Sequence, residues 1–300
     1  MYDSIIVGAG PAGLTAAIFL SRSNKKVLVL EANFHGGQIV SASKIENFPT
    51  YENISGFEFA TKLFNQAKNL GSEIKYEKVL EIKNYGDFKE VITNKETYKT
   101  KTILLATGSE NRHLGIDREK ELTGNGVSYC ATCDGALYKE KNVAVIGEKK
   151  VALEDALYLS DIASKVYLIS RKDSLNADIE LLNKIKNKNN IEIIYNANIK
   201  SLNGDKILDS ITLDNNSNIE ISALFIAIGR VPENENFKTL INVDDKGYII
   251  TDENCHTNIE GIFACGDNRV KKLRQLVTAT SDGAVAATEA IKYLSKEGEK

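Results

Sequence analysis

Two cysteines three positions apart, Cys130 and Cys133, are the residues of this 300-residue chain best suited to chemistry. A Cys-x-x-Cys pair at the start of a helical turn can close a small disulfide, and the local field can lower the pKa of one thiol so that it exists as a thiolate. A thiolate can attack a substrate disulfide. Zinc binding is the alternative, but no second Cys-x-x-Cys and no paired histidines are present to complete four ligands. The pattern therefore favours a redox disulfide.

A glycine-rich turn lies near the N-terminus, in the run Gly8-Ala9-Gly10-Pro11-Ala12-Gly13. In such a run the first glycine makes a tight turn, the second lets the backbone approach a pyrophosphate, and the third lets helix and strand pack closely. Glu31 follows at the end of the next apolar run, where a carboxylate can accept a hydrogen bond from a ribose hydroxyl. A turn without a ligand is the alternative, but the acid at this spacing favours a dinucleotide site.

The elements that must position these residues follow from the apolar spacing. Residues 2–31 predict a strand, a helix and a second buried strand, and the same order returns over residues 143–169. Further helices are predicted over 56–70, 178–188 and 281–294, and further strands near 74–82, 88–93, 98–106 and within 191–228. We therefore predict an α/β protein with two Rossmann-like three-layer domains.

The domain joints must be short, because the chain has only three prolines and no long polar linker. We predict that residues 1–112 and 242–300 form one discontinuous domain that binds the dinucleotide. Residues 113–241 then form the second domain, which carries the cysteine pair.

Composition excludes several classes of function. The net charge of −3 does not favour nucleic acid as a partner, because phosphate binding needs a concentrated basic surface. No apolar stretch reaches the ~20 residues of a membrane-spanning helix, and the N-terminal residues lack the pattern of a signal peptide. We therefore expect a cytoplasmic protein without a membrane or nucleic-acid partner.

A second set of residues indicates which dinucleotide binds. Gly266 and Asp267 follow an apolar strand, and Arg274, Gln275 and Leu276 precede an alanine-rich helix. This arrangement resembles the second FAD fingerprint of the pyridine-nucleotide-disulfide oxidoreductase superfamily, in which the aspartate binds the ribityl chain and the helix N-terminus faces the isoalloxazine. Ala106-Thr107-Gly108 resembles the middle motif of the same superfamily.

The segment Val127-Ser128-Tyr129-Cys130-Ala131-Thr132-Cys133-Asp134-Gly135 resembles the low-molecular-weight flavoprotein thioredoxin reductases. Gly36-Gly37-Gln38, Glu46-Asn47-Phe48-Pro49 and Arg274-Gln275 match as well, so the resemblance runs from about residue 3 to 295. It implies noncovalent FAD, a thioredoxin-like partner and a homodimer. The expected FAD-binding residues are Gly8, Gly10, Pro11, Ala12, Gly13, Glu31, Gly37, Gln38, Asn47, Ala106, Thr107, Gly108, Gly266, Asp267, Arg274, Gln275 and Leu276.

The resemblance also implies roles for three catalytic residues. Cys133 is expected to face the flavin, Cys130 to form the mixed disulfide with the substrate, and Asp134 to donate or accept the proton. Two other cysteines, Cys255 and Cys265, receive no role. Lys271-Lys272 is expected to be either a solvated basic edge or part of a docking face for an acidic partner.

The chain departs from this family where an ordinary member holds NADPH. The family run Gly-Gly-Gly-Asn-Ser-Ala is here Gly147-Glu148-Lys149-Lys150-Val151-Ala152, so a lysine side chain occupies the place of the middle glycine. The run that binds the 2′-phosphate is reduced to Ser170-Arg171-Lys172, with Asn176 in place of a later arginine. We therefore expect no NADPH binding, and the chain resembles the ferredoxin-dependent branch of the family, whose electron donor is reduced ferredoxin.

Two other functions remain open from the sequence. An NADPH-dependent thioredoxin reductase with an unusual turn is one. A non-enzymatic flavoprotein, acting as a redox sensor or scaffold, is the other.

Overall fold

The structure, a computed structural model, describes residues 1–42 and 44–297. The chain divides into unit 1, which contains Met1–Glu110 and the chain from Val231 onward, and unit 2, which contains Asn111–Arg230. The sequence predicts the second joint near residue 242, whereas unit 1 resumes at Val231. Residues 231–241 belong with unit 1 because Phe237 and Ile241 are buried in its core.

Helices and strands alternate in two stretches of the chain, residues 2–76 and 119–194, and runs of strands follow each stretch. In chain order they are β1 (Tyr2–Val7), α1 (Pro11–Arg22), β2 (Val27–Glu31), α2 (Gly56–Asn69), β3 (Glu73–Tyr76), β4 (Val79–Asn84), β5 (Lys89–Thr93), β6 (Thr97–Leu105), β7 (Ser109–Asn111), α3 (Glu119–Leu122), β8 (Val127–Ser128), α4 (Ala131–Asp134), β9 (Asn142–Ile146), α5 (Lys150–Ser160), β10 (Lys165–Ile169), α6 (Ile179–Lys186), β11 (Ile191–Ile194), β12 (Ile199–Asn203), β13 (Ser210–Leu213), β14 (Asn218–Glu220), β15 (Ala223–Ile226), β16 (Arg230–Pro232), β17 (Ile262–Ala264) and α7 (Leu276–Glu297). Short 3₁₀ turns cover Gly37–Ser41, Gly135–Tyr138 and Glu235–Phe237.

The sheet of unit 1 has the strand order β3-β2-β1-β6-β5-β4, with β17 also paired to β6. Strands β1, β2, β3, β6 and β17 run parallel, whereas β4 and β5 form an antiparallel extension. The segment predicted as one strand near 74–82 is therefore two strands with different partners. Because parallel strands end at the same edge of a sheet, the residues that follow β1, β2, β6 and β17 lie together.

One face of this sheet is covered by α1 and α7, which pack through small side chains. Ala16, Ala17, Ala286 and Ala290 are fully buried in this layer. A methyl group on Gly283 of α7 would lie 2.2 Å from the carbonyl oxygen of Ala12. The two helices therefore approach at a distance that only glycine permits. The other face buries a second cluster of side chains, from β4, β5 and residues 237–249.

Unit 2 is built on the parallel sheet β11-β10-β9-β15-β8. Helices α5 and α6 cover one face, and the antiparallel sheet β12-β13-β14 covers the other. This arrangement leaves the sheet buried on both faces, which is why its strands are nearly continuous runs of apolar residues. Cys130 follows β8 and Gly147 follows β9, so both lie at the carboxyl edge of the sheet.

The predicted α/β class with two Rossmann-like units is confirmed. Across residues 1–42 and 44–297, no helix combines the length and the apolar character needed to cross a bilayer.

Gly283→Ala should destabilise the protein by about 1–3 kcal/mol, because the added methyl group forces α7 away from α1. Alanine is the better helix former by roughly 1 kcal/mol, so a net loss reports the packing conflict. The measurement is the free energy of unfolding in urea. Thr288→Ala, at an exposed position of the same helix, is the control and should change it by less than about 0.5 kcal/mol. Equal stability of the two variants would contradict a close contact between the helices.

Candidate functional site

The turn between β1 and α1 forms an open cradle of backbone. Gly8 has a φ of +107°, and a methyl group there would lie 2.4 Å from the carbonyl oxygen of Ala106. A methyl group on Gly13 would lie 2.0 Å from the carbonyl oxygen of Gly8, so the helix packs directly on the turn. Gly10 differs from both, because an added methyl group would meet no atom within 4 Å. The side of Gly10 is therefore free to receive a ligand.

The N-terminus of α1 suits an anion. Gly10 is the N-cap, Pro11 is the first helical residue, and no side chain caps the helix or places an acid in its first turn. The first backbone hydrogen bond of the helix runs from the amide of Leu14 to the carbonyl oxygen of Gly10. The amides of Ala12 and Gly13 precede this bond in the first turn. Amides in this position, together with the helix dipole, bind phosphate groups.

Glu31 is held at the end of β2 by two backbone amides. Its Oε2 accepts from the amide of Ala9 at 2.7 Å, and its Oε1 accepts from the amide of Asn33 at 2.9 Å. Each carboxylate oxygen has a further lone pair. The side chain can therefore accept the hydroxyls of a ribose next to the glycine turn.

The predicted residues Gly37, Gln38 and Asn47 lie on the next segment of unit 1. The amide of Gly36 donates to the carbonyl oxygen of Ala9 at 2.8 Å. A methyl group on Gly37 would lie 3.5 Å from the Cα of Gly10. These contacts place Gly37 and the start of the Gly37–Ser41 turn beside the cradle. Asn47 donates to Oε1 of Gln275 at 3.2 Å, which joins this segment to the residues before α7.

Two buried asparagines fasten the turns after β6 and β17 to each other. Asn268 donates to the carbonyl oxygen of Leu105 at 3.0 Å and to the hydroxyl of Thr107 at 3.1 Å. Asn234 accepts from the hydroxyl of Thr107 at 3.0 Å and donates to the carbonyl oxygen of Asn268 at 2.8 Å. The predicted segments 106–108 and 266–267 are thereby held side by side.

A buried charge cluster anchors the loop that carries Asp267. Asp282 of α7 accepts from Arg269 at 2.9 Å, from Lys271 at 2.8 Å and from the amide of Gly266 at 3.1 Å. Burial raises the pKa of Asp282, but the bonds from the two cations outweigh it and the net shift is downward. Lys271 was expected at a solvated edge or a docking face, but its side chain is only 9% exposed because it binds Asp282.

Arg274 and its neighbours complete this side of the site. The Arg274 guanidinium donates to the carbonyl oxygens of Asp267 and Arg269 and lies 4.1 Å from the centre of the Tyr248 ring. Gln275 precedes α7, and Leu276 is its first residue. The cradle at Gly10, the amides of α1, the acid at Glu31 and these loops fit a dinucleotide that contains a pyrophosphate, as FAD does.

The predicted catalytic residues lie in unit 2, on a single helical turn. Cys130 is the N-cap of α4, and its Sγ is bonded to that of Cys133, with the two Cα atoms 5.3 Å apart. The carbonyl oxygen of Cys130 accepts from the amides of Cys133 and Asp134, each at 3.2 Å. The part of the chain that the structure describes holds no group of three or more His, Cys, Asp and Glu arranged for a metal.

Asp134 is the acid of this turn. Burial raises its pKa, and a hydrogen bond from the hydroxyl of Ser128 at 2.6 Å lowers it by less, so the net shift is upward. A carboxyl group with a raised pKa exchanges protons closer to neutral pH than an exposed one. The turn therefore combines two sulfurs and a proton-exchanging group.

The nucleotide-type turn of unit 2 carries charged side chains of its own. Gly147 keeps a glycine conformation, with φ of +155° and the space for a methyl group blocked by Ala227. Glu148 is buried, its carboxylate lies 3.7 Å from the Arg171 guanidinium, and its carbonyl oxygen accepts from the amide of Asn176. Lys149 is the N-cap of α5. The cation that would bind a 2′-phosphate is thus paired with a carboxylate of the protein.

Sequence reasoning missed Ser128, Asn234, Asn268, Arg269 and Asp282. Each acts through a partner on another element, so its role is not visible in the sequence alone. Ser128 alone had a usable signal, since it lies within the segment Val127–Gly135 that carries the cysteine pair.

Gly10→Ala should weaken FAD binding to the flavin-free protein by at least about ten-fold, because the methyl group occupies the space that the pyrophosphate would enter. The unfolding free energy should change by no more than about 1 kcal/mol, the effect of alanine at an N-cap. Flavin fluorescence titration and urea unfolding measure the two quantities. Gly13→Ala is the contrast and should destabilise the protein itself. Unchanged affinity in Gly10→Ala would contradict the placement.

Comparison with known proteins places the whole chain in one family. The family model for pyridine nucleotide-disulphide oxidoreductases matches residues 2–283. Thioredoxin reductase of Listeria monocytogenes is 40% identical over 304 aligned residues, covering 99% of this chain and 95% of that protein. For thioredoxin reductase of Bacillus subtilis the identity is 38% over 303 residues, covering 99% and 96%.

Among solved structures, the crystal structure of thioredoxin reductase from Streptococcus pyogenes matches with a TM-score of 0.96 and 38% identity over 99% of both chains. These relatives are similar to this chain over its length, in fold as well as in sequence. The chain belongs to the pyridine nucleotide-disulphide oxidoreductase family and, within it, to the low-molecular-weight thioredoxin reductases.

Proposed function

We propose that this protein is a FAD-dependent enzyme that reduces the disulfide of a thioredoxin-like protein through Cys130 and Cys133. The observation that carries the proposal is the disulfide on a single helical turn with Asp134 bonded to Ser128. The backbone cradle of unit 1, with Glu31 beside it, supports FAD as the cofactor. FAD supplies the redox centre through which electrons reach the cysteine pair.

The residues of the turn then divide the work. Once the pair is reduced, the Cys130 thiol gives its proton to the Asp134 carboxylate and its sulfur attacks the substrate disulfide. A mixed disulfide forms and one substrate thiolate leaves. Cys133 then loses its thiol proton to water and attacks the Cys130 sulfur, which restores the Cys130–Cys133 disulfide and releases the second substrate thiolate. The substrate is reduced by two electrons and the dithiol is oxidised by two.

We further propose that the electrons come from reduced ferredoxin rather than from NADPH. The pairing of Glu148 with Arg171 supports this, because a nucleotide would have to displace a buried carboxylate from its cation. Lys149 also supports ferredoxin as the donor. It has a side chain at a position where a bound pyrophosphate needs backbone without a Cβ atom. A donor that delivers electrons to FAD by protein contact needs no nucleotide site.

NADPH is the second candidate donor. The observation that favours it is the 40% identity to a protein named thioredoxin reductase, together with the intact parallel sheet of unit 2. The homodimer implied by the resemblance and the cytoplasmic location expected from the composition stay predictions.

Anaerobic addition of NADPH should leave the flavin absorbance of the FAD-loaded protein unchanged, because the nucleotide turn is occupied by Glu148 and Lys149. Addition of chemically reduced ferredoxin to the same sample should bleach it. Absorbance spectroscopy follows both additions, and the second is the control that the flavin can be reduced. Prompt bleaching by NADPH would overturn the choice of donor and leave the disulfide chemistry standing.

Cys133→Ser should trap a covalent adduct with a single-cysteine thioredoxin activated as a mixed disulfide with an aromatic thiol, since Cys130 attacks and nothing resolves the product. Cys130→Ser should trap little. Non-reducing electrophoresis and intact mass measure the adduct. Cys255→Ser, at a buried thiol of unit 1, is the control and should behave as the wild type. An adduct in Cys130→Ser alone would reverse the roles, and none in either variant would favour the sensor or scaffold function.

A further inference from the structure

Ser128 lies where the parallel sheet of unit 2 meets the turn that carries the cysteines. It is buried, and its strand position is fixed by the pairing of β8 with β15, in which Ser128 is opposite Phe225. Its hydroxyl oxygen accepts from the amide of Cys130 at 3.1 Å and donates to Oδ2 of Asp134 at 2.6 Å. One side chain thus links the strand end, the first cysteine and the acid.

The amide of Cys130 decides the direction of the hydroxyl proton. An amide can only donate, so it occupies one lone pair of the serine oxygen and leaves the hydroxyl proton for another acceptor. The carbonyl oxygen of Cys130 is available at 3.4 Å, but the Asp134 carboxylate is nearer, at 2.6 Å. A short hydrogen bond from a neutral donor to a carboxylate is stronger than one to a carbonyl oxygen. The Ser128 hydroxyl therefore donates its proton to Asp134.

Other titratable groups surround this turn. The 3₁₀ turn contributes Tyr138, whose pKa is raised by burial and then by the charge of Asp134. Helix α5 contributes Tyr158, which packs at Gly135, and Asp155, whose pKa is raised to about 6 by burial and Glu154.

The segment next to Cys130 carries a second cluster. The Tyr129 hydroxyl donates to Oε1 of the buried Glu119 at 2.7 Å and lies 2.8 Å from Nδ1 of His113. His113 is therefore a second ionisable side chain beside the segment that bears Cys130.

We propose that Ser128 is a positioning residue for thiol–disulfide exchange, because its hydroxyl holds the Asp134 carboxylate against the backbone of the segment that bears Cys130. This rests on the proposed function of the Cys130–Cys133 pair. The hydroxyl acts on the substrate only through Asp134, which accepts the proton of the Cys130 thiol as that sulfur bonds to the substrate disulfide. Loss of the hydroxyl leaves the half-buried carboxylate without this donor.

The sign of the pH effect follows from that bond. Burial already raises the pKa of Asp134, and the bond from Ser128 opposes the shift. Removing the donor raises the pKa further, so the carboxylate form that accepts the thiol proton is reached only at higher pH. The rate of thiol attack in the variant should therefore fall at low pH and stay at the wild-type value at high pH.

The experiment uses the FAD-loaded protein, reduced with dithiothreitol and desalted anaerobically. Its dithiol is mixed with an aromatic disulfide, which is reduced to two coloured thiolates while the Cys130–Cys133 disulfide forms. Stopped-flow absorbance gives the rate across a pH series. Ser128→Ala should be slower than the wild type by up to about ten-fold at the low-pH end of the series and should approach it at the high-pH end, as expected for one lost charge-assisted hydrogen bond. Ser128→Thr, which keeps the hydroxyl, should keep the wild-type profile.

The double variant separates positioning from a merely structural role. Ser128→Ala should slow the reaction no further in an Asp134→Asn background, because the hydroxyl acts through that carboxylate. Ser160→Ala removes a buried hydroxyl of α5 that donates to the Leu157 carbonyl, and it should leave the profile unchanged. Melting temperatures of all variants identify any loss of fold.

Three results would overturn the proposal. One is an equal slowing by Ser128→Ala at every pH. Another is a rate at low pH that is lost in His113→Gln but is unchanged in Ser128→Ala. The third is a wild-type profile in Asp134→Asn, which decides the question even if the Ser128 variants do not fold. The aromatic disulfide needs neither a thioredoxin nor the natural electron donor, so failure of the proposed function would be seen separately, as absent thioredoxin turnover with this pH profile intact.

Discussion

The structure of unit 1 depends on the close approach of α1 to the turn after β1 and to α7. Methyl groups at Gly13 and Gly283 would lie 2.0 and 2.2 Å from backbone oxygens, so only glycine allows both contacts. The approach aims the N-terminus of α1 at the edge of the sheet where β1, β2, β6 and β17 end. Helix amides and bare backbone at Gly10 then face the same space, which is the arrangement that a pyrophosphate requires.

Buried polar contacts hold the other half of the cradle. The loop after β17 contains the predicted flavin ligand Asp267, and it is fixed by the Asp282 carboxylate, which binds two cations and a backbone amide. Asn234 and Asn268 fix the neighbouring turn after β6. A buried carboxylate of this kind is stable only while its partners remain, so the loop is held in one conformation.

Unit 2 is built on a similar parallel sheet. In the turn after β9, the Glu148 carboxylate lies 3.7 Å from the Arg171 guanidinium. The turn after β8 carries the disulfide, and Ser128 fastens it to the strand. The cysteine turn and the nucleotide-type turn therefore both lie at the carboxyl edge of this sheet.

The sequence by itself determined the two βαβ units, the glycine cradle with Glu31 and the Cys130–Cys133 pair, because each depends on residues close together in the chain or at a known spacing. Only the tertiary structure decided which polar groups hold these motifs in place. Thr107 and Asn234 are 127 positions apart, and Asn268 reaches Leu105 across 163. The sequence predicted Lys271 at an exposed edge. Its side chain is nearly buried, because it binds Asp282 on the following helix, α7. Hydrogen bonds and ion pairs of this kind depend on distances in space, which spacing along the chain does not contain.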